Sequence, residues 1–236
     1  MLKIFNRQLA LPLEFIKLNT KNNFLINKSN QLAVSFIDEL KDIDQFKKKY
    51  SYPILYVHGP EGSGKTHLGF IFKEIMNAKF INHLKKNHLF SVNKGNSYIL
   101  DDFEPKAKID EEMLMHFFNE SYSGSGSILI LSKTPPGKIK YALPDLNSRV
   151  KSFLSAKISL PDDQVLYSIL VKELDQRKLN LSDNLCFYIL KRITRDYKSV
   201  LKLVKELDRF SLESKTKLKL SDIRRVIENI KKNDYS

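Results

Sequence analysis

The sequence predicts an α/β protein: a parallel β-sheet with covering helices, built around a phosphate-binding loop and followed by a small all-helical domain. Three observations carry this. Residues 59–66 read Gly59-Pro60-Glu61-Gly62-Ser63-Gly64-Lys65-Thr66, a glycine, four residues, then Gly-Lys-Thr. Short apolar, β-prone runs alternate with helical stretches as far as Thr134. From Leu160 onward the strand signals fade, and apolar residues recur at helical spacing.

The loop has a specific physics. Its glycines let the backbone curl so that successive N–H groups point inward, and the helix that follows offers its positive end to an anion. Lys65 would sit against terminal phosphates and the Thr66 hydroxyl would hold Mg²⁺, with residues 59–67, His67 included, as the expected nucleotide-binding set. The flanks have the required character. Ile54-Leu55-Tyr56-Val57 is an apolar strand candidate, and residues 67–76 contain no helix breaker except Gly69. The competing reading is a glycine-rich turn that carries a lysine.

Before the loop, Ser29 is expected to open a helix with Leu32, Ala33, Phe36, Ile37 and Leu40 on one face, and residues 41–50 read as a charged connector. After it, residues 78–82, 97–100 and 127–131 read as strands. Asp110-Glu111-Glu112 places negative charge at the start of a helix, which Gly124-Ser125-Gly126 ends. Beyond Leu160, three apolar faces predict about four helices, with Ser182 and Ser221 as caps. These are Leu166, Ile169, Leu170 and Leu174; then Val200, Leu203, Val204 and Leu207; then Ile223, Val226, Ile227 and Ile230.

The 236 residues carry 40 basic and 27 acidic side chains, a net charge of +13. That balance suits an anionic partner, and a lysine-rich genome would produce the same balance. One cysteine, Cys186, excludes an internal disulfide and a cysteine-based metal site, and the five histidines show no paired ligand spacing. No apolar run has membrane-spanning length, so a cytoplasmic protein is expected. Near the start, Gln8-Leu9-Ala10-Leu11-Pro12-Leu13 is interrupted by proline and reads as extended. Such a segment suits a partner's groove, or packs its leucines on the chain's own core.

Further residues gather around the loop's chemistry. Asp101, at the end of an apolar strand, is placed to bind the metal through water, and Asp102 to orient or deprotonate an attacking water; an acidic surface turn is the other reading. Ser132, Lys133 and Thr134, at the end of the fourth strand, would face the γ-phosphate. Arg149 closes the sheet domain after a short helix, and Arg195 begins a helix in the second domain. An arginine entering a phosphate site stabilises transition-state charge, and it can arrive from a neighbouring molecule.

This order of parts resembles the AAA+ ATPases, and within them the DnaA family, most like the Hda-type regulatory inactivators. The residues that carry the resemblance are Gly59 to Leu68, Asp101-Asp102, Ser132 to Pro136, Leu146-Asn147-Ser148-Arg149 and Thr194-Arg195-Asp196. The resemblance implies a P-loop AAA+ domain over residues 19–159, a helical lid over 160–236, and a clamp-binding peptide within 1–18. In that peptide Gln8, Leu9, Leu11, Pro12 and Leu13 would dock on the DNA polymerase III sliding clamp (beta subunit). It implies ATP or ADP with Mg²⁺ as ligand, DnaA as partner, and DNA contact that is indirect or weak. Arg149 would act in trans as an arginine finger on the partner's ATP, and Arg195 would contact the chain's own nucleotide.

The DnaA initiators continue past the lid into a helix-turn-helix domain, and a chain without that domain is the expectation here. Many AAA+ proteins have glutamate where Asp102 stands, and initiators tend to have an acidic or amide sensor where Lys133 stands. Both departures point away from efficient self-hydrolysis. A DNA-binding AAA+ initiator or helicase-loading ATPase, and an autonomous NTPase, stay open as alternatives, as do monomer and homodimer.

Overall fold

Burial on both faces is what marks the central strands of the sheet. In the computed structural model, which describes residues 26–104, 110–214 and 217–234, β1 (Ile54–His58), β3 (Tyr98–Leu100) and β4 (Ile128–Ser132) are almost wholly buried. With β2 (Lys79–Phe80) and β5 (Leu154–Lys157) they make one five-stranded sheet of order β2-β3-β4-β1-β5, every pair parallel. Buried on both faces, such strands read as continuous apolar runs.

The helices divide between the two faces. On one side α1 (Gln31–Glu39), α2 (Ile43–Tyr50) and α3 (Lys65–Met76) bury Ala33, Ile37, Phe46, Leu68 and Phe72 against Leu55, Val57, Ile99, Leu129, Leu131 and Ala156. On the other, α4 (Lys86–Asn93), α5 (Glu111–Ser123) and α6 (Pro144–Ser152) bury Val92, Leu114, Phe117, Phe118, Leu146 and Val150 against Ile54, Tyr56, Tyr98, Leu100, Ile128 and Ile130. Successive strand residues therefore serve opposite layers, as the period of two requires.

Three parts depart from the expectation. The charged connector at 41–50 is the helix α2: Asp42 caps it by accepting from the Gln45 N–H at 3.0 Å, Phe46 anchors it, and Lys47, Lys48 and Lys49 complement its carboxyl end. Residues 86–93 add α4, and Leu154–Lys157 add a fifth strand along β1. Caps also shift. Asn30, not Ser29, precedes α1, and Ser221 lies inside a helix that begins at Leu220.

The chain divides into two compact units at Leu160/Pro161. The second unit holds α7 (Asp163–Gln176), α8 (Asp183–Leu190), α9 (Tyr197–Ser214) and α10 (Leu220–Asp234). Helix α9 packs on α7 and α10, and α8 packs on α7. Leu166, Leu170, Leu174, Ile189, Val200, Leu203, Val204, Leu207 and Ile223 are all nearly inaccessible. Among the described residues no helix is long and apolar enough to cross a membrane.

Candidate functional site

Parallel strands end on the same edge, so the sheet alone decides which loops meet. Strand β4 lies between β1 and β3, and the register pairs His58 with Ser132. The loop after β1, the carboxylates after β3 and the polar end of β4 therefore converge at the carboxyl edge, where open α/β sheets bind ligands.

The loop from Gly59 to Gly64 joins β1 directly to α3 and is tightly built. The Gly59 N–H donates to the Ser132 carbonyl at 3.1 Å. A Cβ on Gly59 would stand 2.1 Å from the Ile158 carbonyl oxygen, so only glycine fits. Gly62 and Gly64 take φ of +77° and +95°, the region where side chains are strained. Lys65 is buried in the first turn of α3, its ammonium donating to the Gly59 and Pro60 carbonyls at 2.7 and 2.8 Å. Burial holds that ammonium below its ordinary pKa, opposed by Asp101, with Lys133 adding to the lowering. Thr66, Pro60 and Glu61 are exposed, and His67 is half-buried.

Two observations make this loop an anion cradle. The first turn of α3 carries no acidic side chain, so its N–H groups face no internal counter-charge. Ser63 is 1% exposed and its hydroxyl has no hydrogen-bond partner, an orphaned buried donor that a phosphate oxygen would satisfy. A polyphosphate fits these residues.

Asp101 is half-buried at the end of β3, and its carboxylate accepts from the Asp102 N–H at 2.9 Å. Asp102 is exposed with φ +51°, left-handed strain held by the Phe103 N–H pairing with the Leu131 carbonyl at 2.9 Å. Lys133 reaches from the end of β4 to Glu61 at 3.6 Å and to Asp102 at 4.0 Å, linking loop and carboxylate across open solvent. Ser132 is fully buried, and its hydroxyl donates to the Glu104 carboxylate at 3.1 Å or the Thr134 carbonyl at 3.0 Å.

Glu104 is the residue that sequence reasoning missed. Its carboxylate accepts from Ser132 Oγ, from the Lys133 N–H at 2.8 Å and from Thr134 Oγ1 at 2.9 Å, which fastens the end of β4 to the segment after β3. Burial works to raise its pKa, and the hydrogen bonds from Lys133, Thr134 and Ser132 outweigh it and hold the carboxyl below its ordinary value. The available signal was a third acidic residue two positions beyond the aspartate pair. His58, at the loop's entry, is kept below its ordinary pKa by burial and by the Lys157 and Lys65 cations.

Arg149 does not join this cluster. It lies within α6, in its last turn, and not beyond the helix. There its guanidinium donates to Asn119 Oδ1 and lies 5.2 Å from the centre of the Tyr52 ring. Tyr52 precedes β1, so Arg149 is at the amino edge of the sheet, roughly 20 Å of strand away from the loop. Arg195 belongs to the other unit, in the turn before α9, paired with Asp163 at 3.4 Å where both side chains are exposed. Asp196 caps α9 by accepting from the Ser199 N–H at 2.7 Å. Gln8, Leu9, Leu11, Pro12 and Leu13 lie outside the described residues.

Sheet order, loop and carboxylate define a P-loop AAA+ module followed in the chain by a helical lid. A family model described as "Hda, lid domain" matches residues 162–227. The chain is 27% identical over 254 residues to the chromosomal replication initiator protein DnaA of Buchnera aphidicola subsp. Cinara cedri, covering 96% of this chain and 56% of that protein. It is 28% identical over 238 residues to an uncharacterized protein of Haemophilus influenzae, covering 94% and 99%. The fold is that of domain III of DnaA from Thermotoga maritima (TM-score 0.74, 20% identity, 90% of this chain and 97% of that one). It is also similar to AMPPCP-bound DnaA from Aquifex aeolicus (TM-score 0.67, 20% identity, 83% and 66%). Over residues 162–227 the chain matches the Hda lid-domain model, and over nearly its whole length it is similar to DnaA, whose domain III has the same fold.

Proposed function

We propose that this protein is a nucleotide-binding regulator of replication initiation that docks on the DNA-loaded sliding clamp and promotes hydrolysis of ATP held by DnaA. The observation that carries the reading is the separation of its two halves. A complete phosphate cradle occupies the carboxyl edge of the sheet, while Arg149 stands at the amino edge, out of reach of that cradle.

The cradle binds ADP or ATP. Backbone N–H groups of the loop and of the first turn of α3 face the phosphates, and Lys65 leaves the Gly59 and Pro60 carbonyls for phosphate oxygens. The orphaned Ser63 hydroxyl and the AMPPCP carried by a DnaA of the same fold support this. Mg²⁺ would be held by Thr66 and, through water, by Asp101. The described residues contain no cage of three or more His, Cys, Asp or Glu, so the phosphates supply the remaining ligands.

Chemistry on this nucleotide is restrained. Asp102, the carboxylate placed to orient water, already faces the Lys133 ammonium, and Lys133 also holds Glu61. Arg149 acts instead on the partner: a guanidinium brought to another molecule's γ-phosphate stabilises the charge that develops there. Arg195 serves the chain's own nucleotide, and Gln8 with Leu9, Leu11, Pro12 and Leu13 binds the clamp.

The test is single-turnover hydrolysis of DnaA-bound ATP with clamp on DNA. Arg149→Ala is expected to lower the stimulated rate by about a thousandfold, and Gln8→Ala to remove its dependence on clamp. If both variants stimulate as wild type does, the mechanism fails.

A further inference from the structure

Helix α8 is built with two working faces. Cys186 and Ile189 point into the lid core and are buried, as helical spacing demands of a packing face. The opposite stripe is Asn184, Phe187, Tyr188, Lys191 and Arg192, and these five residues line an open concavity of about 530 Å³. Phe187 is 52% exposed.

The rings are held in place. Phe187 stacks on Tyr167 with centroids 5.1 Å apart and planes 19° from parallel. The Arg192 guanidinium lies 3.6 Å over the Tyr188 ring, and Arg224 approaches the same ring from α10 at 5.7 Å, its Nε donating to the Tyr188 hydroxyl at 3.0 Å. No carboxylate lines the concavity. Asp183, next in sequence, accepts the Tyr167 hydroxyl at 2.8 Å. The charge at the end of α8 suits the helix dipole, but the dipole gives no reason for a preordered aromatic ring to face solvent.

One exposed aromatic ring, Phe187, beside guanidinium groups held on the neighbouring Tyr188 matches one kind of ligand: a base that stacks, joined to phosphates that pair with cations. We propose that this face of the lid binds single-stranded DNA. A base stacks on Phe187, Lys191, Arg192 and Arg224 hold the flanking phosphates, and the Asn184 amide is within the same hollow to meet a base edge. An acidic protein surface would use the cations and leave the ring without a partner; duplex DNA would keep its bases from the ring. The inference rests on the replication reading only for the choice of DNA over RNA.

The test is fluorescence anisotropy of labelled oligo(dT) with the full chain and with neither clamp nor initiator present, so that failure of the hydrolysis mechanism does not bear on it. Wild type is expected to bind with salt-sensitive affinity. Phe187→Ala should weaken binding about tenfold, with unchanged circular dichroism because the ring is at the surface. Phe187→Trp should restore it. Arg192→Gln should weaken binding and flatten the salt dependence. Binding that is insensitive to Phe187→Ala, equal for a duplex of the same length, or tenfold tighter for oligo(rU) would overturn the proposal.

Discussion

Glu104 shows how a single carboxylate sets the geometry of a site without facing a ligand. It gathers the Ser132 and Thr134 hydroxyls and the Lys133 N–H, and so fixes the direction in which Lys133 leaves β4. Removing one partner from such a network leaves polar groups unsatisfied, and Glu104→Ala should destabilise the protein by about 1–3 kcal/mol in chemical denaturation. The pH dependence has a definite sign. The folded-state pKa lies below the ordinary 4.5, so the stabilisation is complete above that value and is lost as pH falls through the folded pKa. The difference between wild type and Glu104→Ala should therefore be constant near neutrality and shrink below pH 4.5; a difference that grew on acidification would show that Glu104 acts as the neutral acid. Gly59 is constrained by space. With the Ile158 carbonyl oxygen 2.1 Å from any added Cβ, Gly59→Ala must displace the loop or the backbone just after β5. It should cost about 1–3 kcal/mol and abolish nucleotide binding by isothermal titration.

Elements position what residues cannot. Asp110 caps α5 through the Met113 N–H at 2.9 Å, and the adjacent Glu111 accepts from the Ala142 and Leu143 N–H groups at 3.0 and 2.8 Å, just ahead of α6. Asn147 closes the same corner through the Tyr141 N–H at 2.9 Å. The start of α6 is thus set by α5, and its end by Arg149 against Asn119 and Tyr52. If the proposed stimulation of DnaA-bound ATP hydrolysis holds, Glu111→Ala should lower it by about tenfold or more while leaving nucleotide affinity unchanged, a split that a general loss of fold would not give. Much of this level was legible beforehand. The phosphate loop, the aspartate pair, the acidic start of α5 and the apolar faces of the lid all follow local rules of spacing and charge. The missed elements have weak local signals: β5 is Leu-Ser-Ala-Lys and forms because β1 offers it an unpaired edge, and α2 hides one buried Phe46 among charges. Glu104 was invisible for another reason, since its partners are 28 to 30 residues away and only the β3–β4 pairing brings them near.

At the scale of the molecule, the phosphate loop is a place where ligand binding becomes folding stability. The loop is the end of β1 and the start of α3, and both are in the core shared with β4 and α1. A nucleotide that satisfies Ser63 and the first turn of α3 binds the folded chain and has no site in the unfolded one. Linkage then requires stabilisation of about 2.7 kcal/mol at a ligand concentration one hundred times Kd. The chain's net charge of +13 attracts polyanions without a specific site, so a rise in melting temperature with ADP alone does not identify the loop. Lys65→Ala removes one charge of forty basic groups and so barely alters that general attraction, yet it removes the cation at the centre of the cradle. ADP with Mg²⁺ should raise the melting temperature of wild type by several degrees and leave Lys65→Ala unmoved, while sodium chloride at matched ionic strength shifts both alike. An equal ADP shift in the two proteins would mean that the bound nucleotide sits elsewhere.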